Sequence, residues 1–180
     1  DGHTSIDGFP CLHEFQIGGI ALMPAVGEVK TTSGTLENPD EGWRSRFDKA
    51  DEYATAGYYS VLLKDYGVRT ELTATSRVGY QRYTFPASDE AAIILDLVHG
   101  GCFDRPEDLF AEAVSDTRVV GRRHSWGWSN NQKVYFVIEF SKPFTAFEPI
   151  GEYGFYYRIH FDTTAGEQIG VKVALSSTSP

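Results

Sequence analysis

The stretch YYSVLLKDYGVRTELTATSR, residues 58–77, has the pattern of a β-hairpin. From residue 68 its side chains alternate between one set, Val68, Thr70, Leu72 and Ala74, and another, Arg69, Glu71, Thr73 and Thr75. This alternation indicates a strand with one buried face and one solvated face. The residues before it, 58–63, are rich in β-formers, and 64–67 contains the Asp and Gly of a short hairpin loop. We therefore predict an antiparallel hairpin.

The same β-type pattern continues through most of the chain. We predict further strands at 17–23, 78–85, 91–98, 117–123, 133–140, 154–162 and 168–175. Pro86 ends the strand before it because proline cannot donate to a ladder. Only 106–114 has helical spacing, and it predicts either a helix of at most two turns or the start of a strand at Ala111. Strands without intervening helices favour an all-β, antiparallel two-sheet sandwich with at most one short helix.

The composition fits one such domain over residues 1–180. Hydrophobic residues make up 41% of the 180-residue chain and charged residues 23%, which is typical of a folded protein with a sizeable core. Aromatic residues reach 14%, and 18 glycines are available for turns, a balance that suits packed strands better than a helical bundle. We find no internal repeat and expect no second domain.

Charge and hydropathy exclude two classes of partner. The chain has 25 acidic and 16 basic residues and a net charge of −9, without a basic cluster, so we expect no nucleic-acid binding. Its longest apolar runs, 91–95 and 134–138, are far shorter than the roughly 18 residues of a membrane-spanning helix. The sequence starts at Asp1 without an apolar signal segment, and we interpret it as a processed or excised piece.

The two cysteines do not define a site. Cys11 and Cys102 are too far apart for a C-x-x-C motif, so cysteine alone cannot form a zinc site here. Two unpaired thiols are the favoured interpretation, because two cysteines in a chain of this length are not a disulfide framework. A disulfide between them stays open.

Catalytic signatures are absent from the sequence. It contains no G-x-S-x-G elbow, no P-loop and no G-x-G-x-x-G after a strand. His13 and Glu14 are followed by Phe-Gln-Ile, so the second histidine of an H-E-x-x-H zinc motif is missing. We assign no catalytic residue and no metal ligand to this chain.

The segment 122–132 has the composition of a sugar-binding loop. It combines Trp126 and Trp128 with two arginines and several amide side chains. Pyranose rings stack their C–H faces on indoles, and their hydroxyls need polar partners with paired donors and acceptors. Packing of either tryptophan beneath the loop is an equal alternative. Trp43, in another polar segment, is a weaker candidate of the same kind.

Three more polar residues are candidates because of their surroundings. His3, His13 and Glu14 lie in a Gly-rich opening segment that we predict to be irregular, and polar residues on loops often contact ligands. A structural role remains the simpler interpretation for each. His160 lies within a predicted aromatic strand, where we expect an ordinary strand-face histidine.

Five blocks of the sequence resemble the amino-terminal domain of glycoside hydrolase family 92, the exo-acting α-mannosidases. They are GGIALMP (18–24), SRF (45–47) with AGYYSV (56–61), DYGVRTELTAT (65–75), RVGYQRYTFP (77–86) and VYFVIEFSKPF (134–144). The blocks occur in the same order as in the family and extend over most of the chain. The resemblance therefore implies a large antiparallel β-sandwich.

The resemblance also implies a larger enzyme. In the family this domain precedes an (α/α)6-barrel domain that carries the catalytic carboxylates and a calcium site, and the reaction inverts the anomeric centre. It implies mannose-containing glycans and the barrel as partners, a secreted, periplasmic or cell-surface location, and a sandwich that helps to bind sugar at the domain interface. We expect this chain to bind no cofactor and to be inactive alone. An autonomous carbohydrate-binding module is the alternative.

Overall fold

The computed structural model describes residues 3–10, 19–28, 30–99, 104–127 and 129–180. Within these ranges the fold consists of β-strands and two short 3-10 turns, Pro39–Glu41 and Lys49–Asp51, with no α-helix. The strands are β1 Ser5–Ile6, β2 Phe9–Pro10, β3 Ala21–Val26, β4 Ser45–Arg46, β5 Tyr53–Thr55, β6 Tyr58–Leu63, β7 Val68–Ala74, β8 Val78–Phe85, β9 Ser88–Asp96, β10 Arg105–Ala113, β11 Arg118–Trp126, β12 Gln132–Phe140, β13 Ala146–Ile150, β14 Tyr156–Thr163 and β15 Glu167–Ser176.

The strands form two main antiparallel sheets. The larger has the order β10-β11-β12-β15-β8-β7-β6-β5 and the smaller the order β13-β14-β9-β3-β2, while β1 and β4 form a separate pair. Side chains from both sheets share one buried cluster, in which Phe85 and Phe136 of the larger sheet join Ile93 and Phe161 of the smaller. The predicted all-β sandwich with at most one short helix is thus confirmed.

The predicted hairpin at 58–77 is present as β6 and β7. Its register runs from Tyr58 opposite Thr73 to Leu63 opposite Val68. Gly67 ends the turn with φ +64, a left-handed conformation that glycine adopts without steric cost. Local pattern and turn chemistry therefore suffice for this part of the fold.

The segment 106–114 is not helical, which settles the alternative left open by its sequence. It belongs to β10, whose register with β11 shifts between Pro106 and Asp108. β10 is an edge strand with an irregular register at this point, and proline is tolerated at such positions. The strand assignment also begins well before Ala111, at Arg105.

The polar segment 122–132 is a loop over only part of its length, contrary to our expectation. Residues up to Trp126 belong to β11, and Gln132 already begins β12. Strand alternation therefore divides the two neighbouring arginines: Arg123 is fully buried, whereas Arg122 remains partly exposed. The strand predicted at 17–23 starts later, at Ala21, and residues 17 and 18 lie outside the described ranges.

One close approach fixes the packing of β11 against its neighbours. A Cβ added to Gly121 would lie 2.3 Å from the carbonyl oxygen of Phe110 and 2.3 Å from the ring of Phe136. Only glycine fits at this position. Over the described part of the chain, no helix is long and apolar enough to span a membrane.

Candidate functional site

The last residue of β9, Asp96, organises the chain that follows it. Asp96 is 4% exposed, and one carboxylate oxygen, Oδ1, accepts hydrogen bonds from the backbone N–H of Val98 at 2.8 Å and of His99 at 2.9 Å. The other oxygen, Oδ2, lies 2.8 Å from Nδ1 of the His99 ring. An aspartate that caps its own following turn is a common way to end a strand. Here the cap also sets the orientation of the histidine.

His99 is at the same time part of an aromatic cluster. Its ring lies parallel to that of Tyr156, with centroids 6.1 Å apart and an interplanar angle of 11°. Tyr156 contacts Trp43 edge to face, at 4.9 Å and 73°. The sheet register brings this about, because Tyr156, the first residue of β14, pairs with Asp96. The side chain of His99 is nonetheless 52% exposed.

Burial and hydrogen bonding set the charge states of this cluster. The hydrogen bond that His99 donates to the Asp96 carboxylate raises the pKa of His99 above its usual 6.5, and burial partly opposes that effect. The carboxylate of Asp7 also raises it, whereas Arg123 lowers it. Burial raises the pKa of Tyr156 to about 12, so its hydroxyl remains protonated at neutral pH. With Nδ1 held by Asp96, His99 can offer Nε2 to a ligand hydroxyl.

Trp43, one of the residues predicted to contact sugar, lies in the core. It is 1% exposed, and its indole Nε1 donates to the carbonyl oxygen of Asp7 at 2.9 Å. Next to it, Arg44 donates to the Asp7 carboxylate at 2.6 Å. These bonds tie the opening segment of the chain to residues 43 and 44. Trp43 thus packs against the Tyr156 ring, and within this chain it has no exposed ring face on which a sugar could stack.

Trp126 has the exposure that a stacking residue needs. It ends β11, is 50% exposed, and pairs in register with Arg105, the first residue of β10. The Arg105 guanidinium carbon lies 6.0 Å from the centre of its ring. The neighbouring strand residue Arg123 donates to the carbonyl oxygens of Leu97 and Val98. Arg123 links β11 to the chain before His99, but strand alternation places Trp126 on the opposite face of β11 from Arg123.

The remaining predicted residues are distributed differently. His3 is exposed, in the segment before β1. His13, Glu14 and Trp128 lie outside the described residues, as do Cys11 and Cys102. His160 lies on β14 as expected, with Nε2 at 2.6 Å from the carboxylate of Glu148.

A separate surface cleft of about 390 Å³ lies along β5 to β8. Its lining includes Tyr58, Tyr59 and Tyr80, and it contains none of the predicted site residues. Across the described ranges, no group of three or more His, Cys, Asp or Glu side chains is placed to hold a metal ion.

His99, Asp96 and Tyr156 were not recognised from the sequence. The available signal was short: an Asp at the end of an apolar strand, three residues before a His. Such spacing allows an Asx-type cap. Neither the stacking on Tyr156 nor the proximity of Asp7 can be read locally, because both partners are distant in sequence.

Comparison with known proteins shows an extended similarity. The model of the glycosyl hydrolase family 92 N-terminal domain matches residues 1–176. Among solved structures, the family GH92 α-mannosidase BT3965 from Bacteroides thetaiotaomicron is 32% identical with a TM-score of 0.91, and the match covers 99% of this chain and 27% of that one. No curated protein matches the sequence.

A second solved enzyme is more distant. The family GH92 inverting mannosidase BT2199 from Bacteroides thetaiotaomicron VPI-5482 is 25% identical with a TM-score of 0.72, and the match covers 91% of this chain and 22% of that one. The structure of BT3965 has also been solved in complex with mannoimidazole, and its match covers 26% of that chain. The present chain thus spans about a quarter of the length of these enzymes.

Proposed function

Because this chain belongs to the N-terminal domain family of glycosyl hydrolase family 92, we propose that it is the amino-terminal part of an inverting α-mannosidase and supplies one wall of its sugar-binding site. The wall consists of His99, Asp96 and Tyr156, and Trp126 at the end of β11 is a separate stacking contact in this proposal. The substrates are glycans with terminal α-mannose. We extend the proposal to a secreted, periplasmic or cell-surface location.

One observation carries the assignment of the wall: a half-exposed histidine is held by a buried carboxylate and stacked on a tyrosine. The 2.8 Å contact with Asp96 fixes the His99 ring, so binding a ligand costs little further side-chain ordering. The raised pKa makes His99 a hydrogen-bond donor over a wider pH range. A sugar hydroxyl is a matching acceptor.

Trp126 supplies the second element of sugar recognition. Its half-exposed indole offers an apolar surface on which the C–H face of a pyranose can stack. Arg105 lies 6.0 Å from the same ring and can reach the hydroxyls at the rim of a stacked sugar. We keep Trp128, His3, His13 and Glu14 as proposed contacts from the sequence. Trp43 is buried and contributes by packing against Tyr156.

The bond-breaking groups and calcium belong, in this proposal, to the remainder of the enzyme. An inverting glycosidase needs a carboxylic acid to protonate the leaving oxygen and a carboxylate to activate water, roughly 6.5–9.5 Å apart. We place both in the barrel domain that the family resemblance implies. The present chain positions the sugar and excludes water from its side of the site.

The decisive experiment uses the complete enzyme. His99→Ala is expected to raise KM or lower kcat/KM for an α-mannoside, because a hydrogen bond to the sugar is lost. His160→Ala is the matched control, since His160 also pairs with a carboxylate, that of Glu148, but lies on β14 and outside the wall. Equal kinetics for the His99→Ala and wild-type enzymes would reject the wall. A parent polypeptide without a barrel domain would favour the autonomous binding module.

A further inference from the structure

Arg123 is a fully buried charge whose donors all point towards one stretch of chain. It is 0% exposed, and its Nη1 and Nη2 bind the two carboxylate oxygens of Asp104 at 2.5 and 2.8 Å. Its Nε donates to the carbonyl oxygen of Leu97 at 2.8 Å, and Nη2 donates to that of Val98 at 3.0 Å. One guanidinium on the larger sheet thus holds two consecutive carbonyls that follow β9 of the smaller sheet.

Burying this ion pair has a large free-energy cost. Removing an arginine and a carboxylate from water carries a desolvation penalty that their mutual attraction often does not exceed. Well-packed apolar residues of similar volume are commonly as stable. Asp104 is 6% exposed, so neither partner regains much solvation here. The pair is therefore weak evidence of stabilisation, whereas its hydrogen bonds define the backbone positions of Leu97 and Val98.

The segment that Arg123 holds leads directly to His99. Leu97 and Val98 connect Asp96 to His99, and Arg123 binds both of their carbonyls while Asp96 binds the N–H groups of Val98 and His99. The backbone N–H of Leu97 donates to the carbonyl of Phe155, at 3.4 Å. The turn is therefore held from three sides: its own strand, the residue before β14 and the opposite sheet.

We propose that Arg123 is the positioning residue of the sugar-binding wall. From the opposite sheet it fixes the backbone of residues 97 and 98, so that the His99 ring stays against Asp96 and Tyr156. The consequence for sugar binding rests on the proposed function, whereas the positioning of His99 does not.

The direction in which the His99 pKa changes when Arg123 alone is replaced distinguishes two roles for Arg123. The positive charge of Arg123 lowers the pKa of His99, and the hydrogen bond to the Asp96 carboxylate raises it more strongly. If Arg123 acts only as a nearby charge, its removal raises the pKa of His99 further. If Arg123 positions the turn, its loss frees His99 from Asp96, and the pKa falls towards the ordinary 6.5. Asp7 is the other charged group that acts on this histidine.

The first experiment uses NMR to measure the pKa of His99 and the contacts of its ring in the protein. The double variant Arg123→Met/Asp104→Leu replaces the ion pair with apolar side chains and leaves no buried charge unpaired. Because this variant removes one charge of each sign, the ring contacts decide its result: we expect loss of the nuclear Overhauser contacts between the His99 and Tyr156 rings, together with a lowered pKa of His99. Intact ring contacts would overturn the proposal.

A conservative variant covers the case in which the double variant does not fold. Arg123→Lys keeps the charge beside Asp104, but a single ammonium cannot reproduce the planar set of bonds to both carbonyls and the carboxylate. We expect weakened ring contacts and a lowered pKa of His99 here too, and wild-type behaviour would overturn the proposal. Arg122→Met is the matched control: Arg122 also pairs with an aspartate, Asp108, but is partly exposed and should leave His99 unchanged.

Titration with α-methyl mannoside separates this proposal from the proposed function. If the wild-type protein binds the sugar and the double variant binds about tenfold to a hundredfold more weakly, both proposals are supported. If the wild type shows no binding in the complete enzyme while the His99 signature is lost in the variants, the sugar wall is wrong and the positioning role stands. If the wild type and the double variant bind the sugar equally although His99 is displaced in the variant, the sugar-binding wall is wrong and the positioning role of Arg123 still stands.

Discussion

The rings of His99 and Tyr156 lie parallel, 6.1 Å apart, although 57 positions separate them in the sequence (156 − 99). The contact joins the chain after β9 to the start of β14, because Asp96 and Tyr156 are register partners. The turn at the end of β9 thereby presents the His99 ring against the Tyr156 ring. The following predictions test this arrangement and the fold that supports it.

Protonation of His99 should stabilise the fold at mildly acidic pH. Its pKa is raised above 6.5 in the folded protein, so its stabilising contribution is fully present below pH 6.5 and is lost as the pH rises through the folded-state value. The difference in unfolding free energy between the wild type and His99→Gln should thus be larger at pH 5.5 than at pH 8. Urea denaturation at both pH values measures it, and a larger difference at pH 8 would contradict the assignment.

Trp126 and Trp43 should respond differently to substitution by alanine. Trp126→Ala, at a half-exposed position, should cost about 1 kcal/mol of stability or less. In the complete enzyme it should raise KM or lower kcat/KM for an α-mannoside. Trp43→Ala, at a 1% exposed position, should cost roughly 3–5 kcal/mol.

Thermal denaturation and steady-state kinetics on the same two variants check this pair. If Trp126→Ala destabilises the fold as much as Trp43→Ala and leaves the kinetics unchanged, Trp126 is a packing residue. Tyr153→Ala is a control for general effects of removing an exposed aromatic side chain, since Tyr153 is 72% exposed.

The isolated 180-residue chain should show no mannosidase activity. The sequence contains no catalytic motif, and the chain covers 27% of BT3965. Release of mannose from an α-mannoside should be undetectable with or without added calcium. Calcium-dependent turnover by the purified chain, abolished by chelation, would place catalytic groups within it.

Gly121→Ala should destabilise the sandwich by about 1–3 kcal/mol, the usual cost of overpacking. The added Cβ would lie 2.3 Å from the carbonyl oxygen of Phe110, and a backbone atom cannot easily move away. Gly79→Ala is the control, because its Cβ would meet nothing closer than 3.9 Å. Chemical denaturation of both variants gives the comparison, and equal stabilities would show that β10 and β11 can separate at little cost.

Much of the fold was predictable because its signals are local. Alternation in β7, the turn before it with Asp65 and Gly67, and Pro86 after β8 depend only on neighbouring residues, and the structure has the strand ends where these signals place them. The segment 106–114 was ambiguous because its helical spacing and its edge-strand position compete. Only pairing with β11 selects the strand.

The candidate site was less predictable because its contacts are not local. Tryptophans and histidines in polar segments were chosen by residue type, and this cannot separate Trp43, which packs beneath Tyr156, from the half-exposed Trp126. Burial depends on which face of a strand meets the other sheet. That information is not contained in the residue type.

From the sequence alone follow the all-β class, the main hairpin, the family resemblance and the absence of a catalytic motif, since each depends on composition or on short-range order. The tertiary structure alone determines that Arg123 points inward while Arg122 stays partly exposed, and that Arg123 meets Leu97 and Val98, residues 26 and 25 positions away. Contacts across two sheets arise from the packing of the whole sandwich, in which sheet register and burial act together, and no local pattern encodes them.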